Sequence, residues 1–180
     1  VYPRAALAAV NALCAGHGCY HISDEAYEYF TYGDAAHWSP GSLPNAASHT
    51  ISLFSLSKSY GFAGWRIGYM VVPERLELAI AKAQDTNLIC PPVVSQQAAI
   101  GALEAGAAYP RSYAAGLADV RRLVLDALSE IPDRCTAPTP DGAFYVFLKI
   151  HTSMPPLDLV ERLIEDLEQS RIEGLGVTDL

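Results

Sequence analysis

The chain has 180 residues, of which 51% are hydrophobic and 18% charged, and its formal net charge is −8. This composition indicates a folded globular chain, and the 12 scattered Lys and Arg residues argue against a nucleic-acid or anionic-membrane surface. No apolar run approaches the roughly 20 residues that span a bilayer, so no membrane partner is expected.

Helices and strands alternate in the hydrophobic pattern. A helix is predicted at 3–14, a strand at 19–22, a long loop, and then strands at 50–54 and 66–72. Helices are predicted at 74–84, 94–103 and 109–129, followed by a strand at 142–148 and a last helix at about 157–167. Strands separated by helices are typical of an α/β fold with a mostly parallel sheet and flanking helices.

Polar side chains collect where three of the predicted strands end or begin. In open α/β sheets, functional groups gather at such positions. The candidates are Asp24, Tyr27, Ser55, Ser57, Lys58 and Arg66. Ser57 could instead only shape the loop. Three nearby glycines, at 61, 64 and 68, are expected to let the backbone approach a ligand closely.

A pyridine-aldehyde cofactor would use these groups. It needs a partly desolvated lysine amine to form an imine, and Lys58 follows an apolar strand. It needs a carboxylate to keep its ring nitrogen protonated, which Asp24 can provide. Tyr27 could donate a hydrogen bond to its phenolic oxygen. Its phosphate needs a forked cation and a hydroxyl donor, which Arg66 and Ser55 supply.

Three segments together resemble the class I/II aminotransferases, which are fold type I enzymes dependent on pyridoxal 5′-phosphate (PLP). They are residues 23–27 (SDEAY), 55–58 (SLSK) and 64–69 (GWRIGY). The aspartate lies 34 residues before the lysine, a serine three before it and the arginine eight after it, as in that family. The resemblance runs from residue 1 to about Ile164.

The resemblance implies a role for each site residue. Lys58 would carry PLP as a Schiff base and shuttle the proton, while Asp24 would pair with the ring nitrogen and Tyr27 with O3′. Ser55 and Arg66 would bind the phosphate. The implied activity is amino-group transfer between an amino acid and a 2-oxo acid, in a homodimer of the full-length parent.

The resemblance also implies how the chain is organised. Residues 1–115 would be the second half of the PLP-binding large domain, and 116–180 an interdomain helix with an incomplete small domain. The chain has no initiator Met and is expected to be a piece of a longer protein, and the resemblance implies roughly a further half-chain before Val1. The tail does not resemble the family: Arg171 is its only basic candidate for a substrate carboxylate, but the neighbouring residues do not match, so the role is not assigned to it. A truncation, a spliced end or a shifted reading frame could each explain it.

Two alternatives to transamination remain open at this point. One is another PLP reaction on the same scaffold, such as that of a β-lyase or a synthase. The other is a catalytically incompetent fragment. The four cysteines form no C-x-x-C pair and no leader pattern opens the chain, so reduced thiols in the cytoplasm are expected. The five histidines have no metal-ligand spacing and are expected in loops or at the surface.

Overall fold

A computed structural model describes residues 1–172, with side chains through Glu168. Helices and strands alternate within it, which confirms the α/β class. The helices are α1 (Arg4–Gly16), α2 (Leu56–Ser59), α3 (Glu77–Asn87), α4 (Val93–Ala105), α5 (Ala108–Ser129) and α6 (Pro156–Ile172). The strands are β1 (His21–Asp24), β2 (Thr50–Ser55), β3 (Gly68–Val71), β4 (Cys135–Thr136) and β5 (Lys149–Ile150).

The described sheet at the site is mixed, with the order β1-β2-β3. Strands β1 and β2 are parallel, with Asp24 opposite Leu53, as a mostly parallel sheet requires. Strand β3 is antiparallel to β2, with Ser55 opposite Gly68. The chain between β2 and β3, residues 56–67, forms only the one-turn α2 and a short helical turn at Ala63–Trp65, so no long helix crosses the sheet between these strands. It therefore returns at the same edge, where β1 and β2 end and β3 begins.

The predicted strand at 142–148 is wrong. Within residues 1–172, strand pairing in this segment is limited to one isolated bridge between Thr31 and Gly142, and β5 begins only at Lys149. Ala143 has a φ of 62°, in the left-handed region that interrupts an extended strand. The Tyr32 hydroxyl donates a 2.6 Å hydrogen bond to the Ala143 carbonyl and fixes this bend.

Two of the site glycines have structural explanations. A Cβ on Gly68 would lie 2.6 Å from the Phe54 carbonyl oxygen, so β2 itself requires a glycine there. Gly61 has a φ of 68°, a backbone conformation that residues with a side chain rarely adopt. The close contact between β2 and β3 is thus an independent reason for a glycine at position 68, and the expectation that it lets the backbone approach a ligand stays a prediction.

The amino end of the sheet closes on a polar network around Asn11 of α1. Its Nδ2 donates to His21 Nδ1 at 3.1 Å and to Thr50 Oγ1 at 2.8 Å. The Asn11 Oδ1 accepts a 2.9 Å bond from His49 Nε2. Asn11, His21 and Thr50 are all buried, so the expectation that every histidine lies in a loop or at the surface is wrong for His21. Because an amide nitrogen only donates, His21 must accept at Nδ1 and carry its proton on Nε2.

The buried core is small for a chain of this size. One cluster of Leu56, Tyr60 and Ala99 packs against Phe62 and Ile67. The chain exposes 12794 Å² of surface, whereas a compact monomer of 19.4 kDa would expose about 8,500 Å². All four residues of β3 are exposed. The partial sheet and its open apolar surface are consistent with an incomplete domain.

Helix α5 runs unbroken across the predicted domain boundary between residues 115 and 116. The division into 1–115 and 116–180 therefore stays a prediction. Among residues 1–172, no helix combines the length and the apolar character needed to cross a membrane.

Candidate functional site

The carboxyl ends of β1 and β2 and the start of β3 meet at one edge of the sheet. Asp24 is the last residue of β1, and Ser55 is the last residue of β2. Helix α2, which carries Lys58, follows Ser55 directly. Ser55 faces Gly68, two residues after Arg66. The topology therefore brings the predicted residues to one edge.

Asp24 is exposed and shapes the turn that follows β1. Its Oδ1 accepts a 3.1 Å hydrogen bond from the Ala26 amide, the local pattern expected of an aspartate that starts a turn. Within residues 1–172 this is the side chain's only hydrogen bond. The second carboxylate oxygen is therefore open to a ligand.

Tyr27 is half-buried in an aromatic cluster. Its ring packs edge-to-face against Phe30, Phe144 and Tyr145, with centroid distances of 6.3, 5.3 and 5.4 Å. These contacts dock the bent segment at 142–148 on the turn after β1. The Tyr27 hydroxyl makes no hydrogen bond within the described chain, so it can still donate.

Ser55 begins helix α2 as its N-cap. The Ser55 Oγ accepts a 3.2 Å hydrogen bond from the Ser57 amide, which satisfies a free donor of the helix. Ser57 is half-buried and its hydroxyl has no partner among residues 1–172. The sequence interpretation that Ser57 only shapes the loop is compatible with its amide contact.

Lys58 is exposed, so the desolvated amine expected from the sequence is not found in the described chain. Its amine makes no hydrogen bond or ion pair with residues 1–172. The reason is that α2 is a single turn lying at the open edge of the sheet. The side chain borders a cleft of about 520 Å³ whose other walls include Phe30, Tyr113 and Phe144.

Arg66 is exposed and has an unusual backbone. Its φ of 51° and ψ of 52° place it in the left-handed region, which non-glycine residues seldom occupy. Its Nη1 donates a 2.9 Å hydrogen bond to the Ala63 carbonyl. The remaining guanidinium donors have no partner in the described part of the chain.

The structure places the predicted residues along one edge but not around one cavity. Asp24 and Tyr27 border a cleft of about 230 Å³, which is separate from the Lys58 cleft. Arg66 borders a third cleft of about 440 Å³. Arg171 lies in α6, but its side chain and the tail beyond residue 172 are outside the described residues.

A buried carboxylate next to Asp24 was missed by the sequence interpretation. Glu25 is 2% exposed, its Oε2 lies 2.6 Å from His37 Nε2, and its Oε1 accepts a 2.8 Å bond from Ser39 Oγ. Burial acts to raise the pKa of Glu25, but hydrogen bonds from His37, Ser39 and Ser23 outweigh it and lower the pKa. The sequence signals that could have indicated this contact are a carboxylate at a strand end and the His-x-Ser pattern of residues 37–39 in the next loop.

Comparison with known proteins identifies the family. The model of "Aminotransferase class I and II" matches residues 1–170. A probable aspartate/prephenate aminotransferase from Thermus aquaticus is 34% identical over 168 residues, covering 91% of this chain and 43% of that protein. An arginine–pyruvate transaminase from Pseudomonas aeruginosa is also 34% identical, covering 91% of this chain and 41% of its own length.

Solved structures agree with this similarity. A double mutant of Thermus thermophilus aspartate aminotransferase matches with a TM-score of 0.81 at 32% identity, over 92% of this chain and 43% of that one. An aminotransferase from Mycobacterium tuberculosis matches with a TM-score of 0.78 at 35% identity, over 92% and 43%. The chain thus spans less than half the length of the relatives it matches. Proteins of this kind are PLP-dependent in general. The chain belongs to the class I and II aminotransferase family.

Proposed function

We propose that the protein containing this chain transfers an amino group between an amino acid and a 2-oxo acid with PLP as cofactor. The observation that carries the proposal is the edge of the sheet where Asp24, Lys58 and Arg66 lie. All three charged side chains are exposed there and retain unused hydrogen-bonding capacity within residues 1–172. Family membership gives the reaction class to which this edge is assigned.

The residues at this edge fit PLP in their chemistry. The Arg66 guanidinium complements a phosphate dianion, the Asp24 carboxylate complements a protonated ring nitrogen, and the Lys58 amine can condense with an aldehyde. Arg66 uses one guanidinium N–H to bond the Ala63 carbonyl, and its other donors, which have no partner within residues 1–172, can bond phosphate oxygens. The Ser55 oxygen accepts from the Ser57 amide but keeps its own proton to donate.

When bound, PLP supplies an aldehyde that links to an amine and a protonated ring that withdraws electrons. Asp24 would hold the proton on the ring nitrogen. Tyr27 would donate its free hydroxyl to the phenolic oxygen, and Ser57 would add a hydroxyl near the phosphate. Lys58 would hold the cofactor through Nζ until the amino group of the substrate takes its place, and the Lys58 amine released by that exchange would accept a proton from the α-carbon of the amino acid.

Reductive labelling tests the cofactor assignment directly. The purified chain would be mixed with PLP, checked for absorbance in the visible range, reduced with borohydride and mapped by peptide mass spectrometry. We expect the label on Lys58 in preference to Lys82 and Lys149, the other two lysines of the chain. K58R should remove the label, and K82R is the matched control. Equal labelling of all three lysines would contradict the assignment, whereas no label would show that this chain alone cannot bind PLP and would leave the activity with the longer parent.

A second candidate within the family chemistry is a β-lyase or synthase acting on an amino acid. The names of the relatives, which include aspartate, prephenate and arginine–pyruvate activities, favour transamination. Assay of the full-length parent with amino acids and pyruvate separates the two. A new amino acid without ammonia supports transamination, whereas ammonia without a new amino acid supports the lyase.

We also propose the remaining features implied by the resemblance. These are the domain division at 115/116, a homodimer of the full-length protein, and a cytoplasmic location. All four cysteines are free thiols in the described chain, which supports a reducing compartment. A catalytically incompetent fragment is the competing proposal, and the labelling experiment separates them at the level of cofactor binding.

A further inference from the structure

Two consecutive carboxylates at the end of β1 have opposite environments. Asp24 is exposed, whereas Glu25 is 2% exposed. Successive residues of a strand point to opposite faces, so one carboxylate faces the open edge while its neighbour is buried. The Glu25 amide donates a 2.8 Å hydrogen bond to the Leu53 carbonyl, which extends the β1–β2 ladder by one residue.

The side chains of Glu25, His37 and Ser39 form a cluster that we name the Glu25 clamp. Both Glu25 oxygens are engaged, one by His37 at 2.6 Å and the other by Ser39 at 2.8 Å. Ser39 Oγ also accepts a 3.3 Å bond from the Gly41 amide, at the start of a short helical turn. A Cβ on Gly41 would lie 2.8 Å from Ser52 Oγ of β2. The clamp thus ties the long loop to both strands.

The turn at residues 24–28 has few other attachments. Its hydrogen bonds from Ala26 to Asp24 and from Glu28 to Glu25 are local to the turn. At its far end, Tyr27 contacts the rings of the aromatic cluster. The base of the turn therefore depends on the contacts of Glu25.

We propose that Glu25, through His37 and Ser39, is a positioning residue that holds the turn at 24–28 so that Asp24 faces the site edge. The part of this inference that concerns the cofactor rests on the proposed function. The part that concerns the turn depends only on the geometry of this chain.

Hydrogen–deuterium exchange tests the turn without any cofactor. We expect H37A to accelerate exchange of the amides at 26–28 by at least about tenfold, because the base of the turn is released. S39A, which removes one hydrogen bond and leaves His37 in place, should cause a smaller acceleration at the same amides. T50V removes one buried hydroxyl contact at the opposite end of the sheet and is the matched control.

The cofactor part is tested on the same variants by titrating PLP labelling of Lys58. H37A should weaken apparent PLP binding by about tenfold, the lower end of what lost outer-shell contacts cost at metal sites. T50V should leave binding unchanged, and E25Q should retain more binding than E25A because an amide can still accept from Ser39.

Each result bears on a separate claim. Unchanged exchange at 26–28 in H37A, or equal acceleration in T50V, would overturn the positioning role. Faster exchange with unchanged PLP binding would overturn the link to Asp24. If the full-length parent takes no PLP at Lys58, the proposed function fails, and the exchange data still decide whether the clamp holds the turn.

Discussion

The two ends of the small sheet use polar side chains differently. At the amino end, Asn11 and Thr50 are buried and satisfy each other's hydrogen bonds. At the carboxyl edge, Lys58 and Arg66 are exposed and leave most of their donors unused within the described chain. Buried polar groups must be paired, or their desolvation destabilises the fold. Exposed charges carry no such penalty, so the carboxyl edge can bind a ligand without contributing much to stability.

Removal of Asn11 tests the stabilising end and should have the largest effect. N11A deletes three hydrogen bonds and leaves buried groups of His21 and Thr50 without partners. We expect a loss of about 3 kcal/mol in the free energy of unfolding, measured by chemical denaturation. N87A, at an exposed asparagine at the end of α3, is the control. A loss below about 1 kcal/mol in N11A would mean that the network does not close the sheet.

Acid should weaken the amino end through His21. Burial lowers the pKa of His21, the nearby His49 lowers it further, and Glu25 opposes both weakly. A histidine with a lowered folded pKa gives stability that is present above its unfolded pKa of about 6.5 and is lost as pH falls below that value. The slope in this window should approach about 1.4 kcal/mol per pH unit at most.

The effect of the carboxylates on stability can be distinguished from that of His21 by the pH range in which each group titrates. The lowered pKa of Glu25 makes its contribution disappear only at more acidic pH. The pKa of Glu28 is raised, mainly by burial. Protonation of Glu28 at acidic pH therefore favours the folded state, in contrast to protonation of Glu25. Unfolding measured between pH 6.5 and 5 in H21Q, against the exposed-site control H17Q, isolates the histidine. An unchanged slope in H21Q would refute its assignment.

Much of the fold and of the site edge could be predicted from the sequence, because the helices and the residues typical of a PLP site follow local sequence patterns. Each of the six helices except the one-turn α2 was predicted, and Asp24, Ser55 and Arg66 do lie at one sheet edge. Hydrophobic periodicity and residue spacing are properties of the chain itself. Both can therefore be recognised without any knowledge of tertiary contacts.

The features that sequence reasoning missed depend on contacts between distant segments. The β-propensity of residues 142–148 predicted a strand, but the left-handed Ala143 and its bond from Tyr32 bend the chain. The pairing of Glu25 with His37 needs the closure of a long loop, which no local pattern specifies. The direction of β3 likewise depends on where the chain turns.

Substitution of Asp24 tests the binding end and should have the smallest effect on stability. D24N keeps an oxygen to accept from the Ala26 amide at the same position. Because the side chain is exposed, we expect the free energy of unfolding to change by less than about 0.5 kcal/mol in chemical denaturation. The same change removes the negative charge proposed to hold the ring-nitrogen proton, so PLP labelling of Lys58 should fall. D34N, at an aspartate in the exposed loop, should leave both measurements unchanged. A loss of stability above about 1 kcal/mol in D24N would show that the Asp24 side chain stabilises the fold. The contrast between the two ends of the sheet would then not hold for Asp24.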